Sequence, residues 1–150
     1  MPQSFTSLHY HLVFSTRGRL AWIDADWQAR LYEYIGGIIR QQHGNLLAAG
    51  GMPDHVHLLA AVDKQRSIAD TLRDIKANSS RWIHETFPKR REFAWQTGYA
   101  AFAVSYSNLD AVRSYLESQA DHHRQRTFQD ELRELLRKHQ IEFDERYIWE

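Results

Sequence analysis

Nine residues in the middle of the chain, Asp54-His55-Val56-His57-Leu58-Leu59-Ala60-Ala61-Val62, narrow the possible folds more than any other stretch. Read as a strand, side chains two apart share a side. Val56, Leu58, Ala60 and Val62 then fill one face, and His55 and His57 present two imidazoles on the other. Burying two imidazoles without partners is costly, because each ring brings a donor and an acceptor. A shared divalent ion satisfies both. His9 and His11 repeat the same spacing in an earlier alternating segment, and periodicity alone does not choose between the two pairs.

The second constraint is Tyr115 with Gln119 four residues later. A helix from Ser107 through about His123 is expected, with Asp110 in its first turn. In it Tyr115, Gln119 and His122 share a polar face, and Val112, Leu116 and Ala120 form the buried stripe. An amide oxygen at Gln119 completes a ligand set with imidazoles. That set accepts Mg²⁺, Mn²⁺ or Zn²⁺, and phosphate chemistry favours Mg²⁺ or Mn²⁺. A tyrosine hydroxyl, with an ordinary pKa of about 10, is a weak nucleophile at neutral pH. A metal that polarises a phosphodiester lowers the demand on it.

Around these features the chain alternates between strand and helix signals. Leu8–Ser15 alternates as a first strand, and Asp24 or Asp26 opens a helix to His43 that contains Gly36-Gly37. Asn45–Gly50 and Asp54–Val62 read as two strands joined around Gly51-Met52-Pro53. Ser67 with Asp70 signals a helix ending before Pro88, with Ile68, Leu72, Ile75, Ser79 and Trp82 facing inward. Tyr99–Ser105 is the last strand, and Thr127 with Asp130 opens a final helix to about Gln140. The order β-α-β-β-α-β-α-α predicts an α+β fold: a ferredoxin-like split β-α-β antiparallel sheet, helices on one face, plus C-terminal helices. In that plan the first and third strands are neighbours, so both histidine pairs can face one cleft.

The 150 residues amount to one domain, 1–150. The absence of Cys excludes disulfides, Cys-ligated zinc and thiol catalysis. Neither a signal peptide nor a membrane-length apolar run is present, so a cytoplasmic protein is expected. Formal net charge is zero, but it is unevenly spread. Lys64–Arg91 holds eight basic residues against three acids, whereas Phe128–Glu150 holds seven acids against four bases. Candidate DNA contacts are Arg17, Arg19, Lys76, Arg81 and Arg90, with Trp82, Trp95 and Tyr99 available to stack on unpaired bases. For Trp82 a core position is the stronger expectation.

These residues carry a resemblance. His11-Leu12-Val13-Phe14-Ser15-Thr16-Arg17, Met52-Pro53-Asp54-His55-Val56-His57-Leu58-Leu59, Trp95-Gln96-Thr97-Gly98-Tyr99 before Phe102-Ala103-Val104-Ser105, Tyr115-Leu116-Glu117-Ser118-Gln119 with His122-His123, and Thr127 to Glu131 follow in order. The chain is similar to the HUH-type single-tyrosine transposases, both the TnpA-like enzymes of single-strand-transposing insertion sequences and their REP-associated relatives. The resemblance implies that His55, His57 and Gln119 bind the metal and that Tyr115 is the nucleophile. Attack on single-stranded DNA would leave a 5′-phosphotyrosine and a free 3′-OH, and reversal would rejoin strands. It further implies a homodimer, a tyrosine helix able to complete the partner's site, and recognition of hairpins near element ends. Ser118 stands where the family often has Asn. A domesticated REP-associated nicking enzyme and a non-catalytic hairpin-binding protein are the alternative readings.

Overall fold

A computed structural model describes residues 3–119 and 126–150. Four strands, β1 (His9–Ser15), β2 (Asn45–Met52), β3 (His55–Ala61) and β4 (Ala100–Val104), form one antiparallel sheet in the order β2-β3-β1-β4. Helices α1 (Ala25–Gln41) and α2 (Ile68–Thr86) connect them, and α3 (Leu109–Glu117) and α4 (Phe128–Lys138) follow β4. The expected split β-α-β plan is the one observed, with the first and third strands side by side.

The alternation in β3 sorts its side chains as expected. Val56, Leu58 and Ala60 join Leu12 and Phe14 of β1 in a core closed by Trp27, Leu31, Ile35 and Ile39 of α1 and Leu72, Ile75 and Ile83 of α2. The opposite face is covered by the C-terminal helices. Phe128, Leu132 and Leu136 of α4 pack on Val13 and Phe102, while Leu116 of α3 packs on Leu59 and Val104. In the β1–β3 register His57 opposes Val13, His55 opposes Ser15 and His11 opposes Leu59. Directly paired residues point to the same side. Both histidine pairs therefore face the α3–α4 layer.

Helix signals were legible where a side chain caps. The Ser67 hydroxyl accepts from the Asp70 N–H at 3.0 Å and the Thr127 hydroxyl from that of Asp130 at 3.2 Å. Elsewhere boundaries moved. β2 continues to Met52, so the turn into β3 is Pro53-Asp54 alone. The third helix begins at Leu109, after a 3₁₀ turn at Tyr106–Asn108, and runs to Glu117, where Ser118 makes a turn. Ser118 ends it by donating its hydroxyl to the Ser114 carbonyl at 2.9 Å, which competes with helix continuation. Gln119, just past that turn, is again helical, and the expected positions of Ala120, His122 and His123 fall outside the described residues.

What seats α3 is a glycine. A Cβ on Gly50 of β2 would lie 1.9 Å from the Leu116 carbonyl oxygen, so only a bare Cα lets the end of α3 lie against the sheet. Inside α1, Gly36-Gly37 does not interrupt the helix, and Gly36 is buried within it. Trp95, considered above for stacking on bases, is core. It is buried, donates its indole N–H to Ser79 at 3.0 Å, and meets Phe14 and Phe93 edge-on at 4.8 Å. Trp82 is half-buried and stacked on Tyr34 at 4.7 Å.

Candidate active site

β3 delivers His55 and His57 fully buried beneath α3 and α4. Each ring is fixed from behind. The Asp54 carboxylate accepts from His55 Nδ1 at 2.7 Å, leaving Nε2 to point into the site. His57 Nδ1 lies 2.7 Å from His11 Nε2, so His11 fixes that ring whichever nitrogen holds the shared proton. Burial, then the neighbouring His57, pushes the pKa of His11 down to about 3, so it remains neutral. His11 therefore supports His57, whereas His9 sits at the strand's outer end, 3.4 Å from the Ser7 hydroxyl. Phe128 of α4 stacks on His55 at 4.4 Å.

The forward-facing atoms converge. Gln119 Oε1 is 3.2 Å from His55 Nε2. Glu131, on α4 and wholly buried, places Oε1 2.8 Å from His57 Nε2 and 3.5 Å from His55 Nε2. One ligand atom from each of His55, His57 and Glu131 lies within 4.8 Å of the others. Two imidazole nitrogens, an amide oxygen and a carboxylate oxygen fit a divalent cation, because these electron-pair donors repel one another unless a proton or cation sits among them.

Glu131 also reaches the tyrosine. Its Oε2 accepts the hydroxyl of Tyr115 and, at 3.1 Å, the amide N–H of Gln119. Arg126 Nη2 approaches the same hydroxyl at 3.3 Å. Burial and then the Glu131 carboxylate push the Tyr115 pKa upward, against the pull of Arg126. The resting hydroxyl is therefore protonated. Tyr115 and Gln119 meet the His pair of their own chain.

Glu131 ends the Thr127–Glu131 motif of the sequence but was given no role from it, although a signal was there. It occupies the apolar stripe of α4 between Phe128 and Leu132, where an acid is buried only if paired. Of the candidate DNA contacts, Arg17, Lys76 and Tyr99 line a single cavity of about 420 Å³. Arg19 lines a different one of about 610 Å³, walled also by Asp54 and Phe128, and its guanidinium lies over Trp149 at 5.4 Å. Lys76 donates to the carbonyls of Gln96, Thr97 and Gly98 at 3.0, 3.2 and 2.5 Å. Arg81 donates to Asn78, and Arg90 pairs with Asp24 at 3.0 Å. These last two belong to the α1–α2 layer, across the sheet from Tyr115.

The family model for IS200-like transposases matches residues 4–119. The chain belongs to the IS200-like transposase family. Among its relatives, the ISDra2 transposase TnpA of Deinococcus radiodurans is 28% identical over 119 residues, covering 76% of this chain and 85% of the relative. A transposase crystal structure from the same organism superposes with a TM-score of 0.64 at 26% identity, covering 79% of this chain and 96% of that one. The structure of a REP-associated tyrosine transposase bound to a REP hairpin shares the fold, with a TM-score of 0.60 at 14% identity over 82% of this chain and 74% of that one. In this IS200-like transposase the matched region ends at Gln119. Arg126 and Glu131 come from the segment beyond it. Among the described residues, no helix is long and apolar enough to cross a membrane.

Proposed function

We propose that this family member is a metal-dependent transposase of single-stranded DNA, in which Tyr115 cuts at element ends and forms a 5′-phosphotyrosine. The observation that carries the reading is Glu131, which with one carboxylate touches both the histidine cluster and the tyrosine hydroxyl. His55, His57, Gln119 and Glu131 would hold the ion. Mg²⁺ or Mn²⁺ there supplies Lewis-acid polarisation of the target phosphate.

The chain's own residues then divide the work. Asp54 and His11 hold the imidazoles in orientation from behind. The Tyr115 oxygen bonds to phosphorus as the P–O3′ bond breaks, and Glu131 Oε2 is the atom placed to take the hydroxyl proton. The liberated 3′ oxygen takes a proton from solvent and leaves as a hydroxyl, and the proton on Glu131 returns to solvent. Because the phosphotyrosine keeps the energy of the broken bond, attack by a new 3′-OH rejoins strands. Residues 1–150 act as one domain, in the cytoplasm, as a homodimer on hairpin-bearing single strands.

The test is a denaturing-gel assay for a covalent protein–DNA adduct on labelled single strands that span the DNA flanking the gene. An adduct is expected that requires Mg²⁺ or Mn²⁺ and vanishes in Tyr115→Phe. His57→Ala abolishes it while hairpin binding survives. An adduct persisting in Tyr115→Phe would assign another nucleophile, and tight hairpin binding with no adduct would make this a binding protein.

A further inference from the structure

We propose that Arg126 is the residue that holds the scissile phosphate, a role that rests on Tyr115 being the nucleophile. The oxygen that must bond to phosphorus is the Tyr115 hydroxyl, and Arg126 Nη2 is 3.3 Å from it. When a phosphodiester is in contact with that oxygen, its non-bridging oxygens fall within reach of the same guanidinium. Arg126 is also partly open to solvent, its side chain 27% exposed. The other end of its fork, Nη1, donates to Glu134, whose side chain is 67% exposed.

The space in front of Arg126 suits a DNA strand. The cleft of about 610 Å³ is lined by Arg126, Phe128, Arg19, Asp54 and Pro53, within the size range of sites that take a nucleotide-sized group. Two of its lining residues touch the histidine cluster: Phe128 stacks on His55 and Asp54 accepts from it. The cleft wall carries two guanidiniums and two carboxylates, Asp54 meeting His55 and Asp130 pairing with Arg133 at 3.0 Å. Of the two guanidiniums, Arg126 is the one beside the nucleophile. A planar fork that offers two N–H groups to one phosphate is what arginine supplies and lysine does not.

The experiment compares wild type, Arg126→Ala and Arg126→Lys in single-turnover adduct formation with Mn²⁺. The oligonucleotides carry either the natural phosphate or a neutral methylphosphonate at the cut position. On the natural phosphate, Arg126→Ala is expected to be slower by roughly 10²–10³-fold, the loss typical of removing one donor to a developing anionic oxygen. Arg126→Lys should retain part of the rate. On the methylphosphonate, wild type and Arg126→Ala should react at similar rates, because the charge that Arg126 recognises is gone. The thermal midpoint should stay close to wild type in both variants. Wild-type rates in Arg126→Ala, or an equal loss on both substrates, would overturn the assignment and leave Tyr115 chemistry intact. A wild type that forms no Tyr115-dependent adduct would overturn the function and this inference together.

Discussion

At Glu131 one buried carboxylate serves His57, Gln119 and Tyr115 at once. Replacing it by glutamine keeps the shape and removes the charge. Glu131→Gln is expected to weaken Mn²⁺ binding, followed by electron paramagnetic resonance of the free ion, by at least the 10–100-fold seen when partners one shell further out are lost. Unchanged affinity would reduce the ligand set to His55, His57 and Gln119. Lys76 offers a prediction of a different kind. Burial lowers its pKa from 10.5 to about 8, although three carbonyls receive its protons. Between those two values the unfolded chain binds more protons than the folded one, so this residue makes stability rise with pH from about 8 to 10.5. In urea titrations across that window, Lys76→Met should show a shallower rise than wild type, and an identical slope would refute it. Sequence could place Lys76 among the cations but not reveal its carbonyl cage, because the Gln96–Gly98 segment reaches it only through the fold.

The elements were legible where chemistry is local, in strand alternation at residues 9–15 and 55–61 and in the hydroxyl caps at Ser67 and Thr127. They were not legible where tertiary contact decides. The end of α3 depends on a serine folding back on its own helix and on how closely β2 admits Leu116. Gly50 therefore has a consequence for catalysis. A methyl group there would overlap the Leu116 carbonyl, and backbone on both sides leaves no flexible tip to yield. Gly50→Ala should cost about 1–3 kcal/mol in denaturant unfolding, as overpacking does. It should also slow adduct formation more than the unfolded fraction explains, because Tyr115 moves with α3. A variant as stable and as active as wild type would mean that β2 and α3 slide apart freely. Likewise Glu131 was hidden as a functional residue. Its helix is recognisable, but only packing on the second sheet face shows that the stripe it interrupts points at the histidines.

For the molecule as a whole, zero net charge conceals a division of labour that sets how strongly salt opposes DNA binding. The basic stretch seen in sequence is largely engaged with its own surroundings. Arg66 pairs with Asp74 at 2.5 Å, Arg73 with Asp70 at 3.0 Å, Arg90 with Asp24 at 3.0 Å, and Lys76 is held by carbonyls. In the acidic tail, Arg133 pairs with Glu145 at 2.6 Å and Arg146 with Asp144 at 2.8 Å. The stretch belongs mostly to α2, which lies across the sheet from Tyr115, so a strand seated at the tyrosine does not run over it. If phosphate contact falls to Arg19 and Arg126, about two charges are neutralised. The logarithm of affinity for single strands should then fall against the logarithm of salt with a slope of about −1.4. Use of all eight basic residues of Lys64–Arg91 would steepen the slope to roughly −6. Fluorescence anisotropy of a labelled hairpin with a single-stranded flank, titrated at several salt concentrations, separates the two. Arg19→Ala should flatten the slope by about 0.7, whereas Arg81→Ala should leave it unchanged. The reverse result would move the DNA path to the α1–α2 face, away from the histidines.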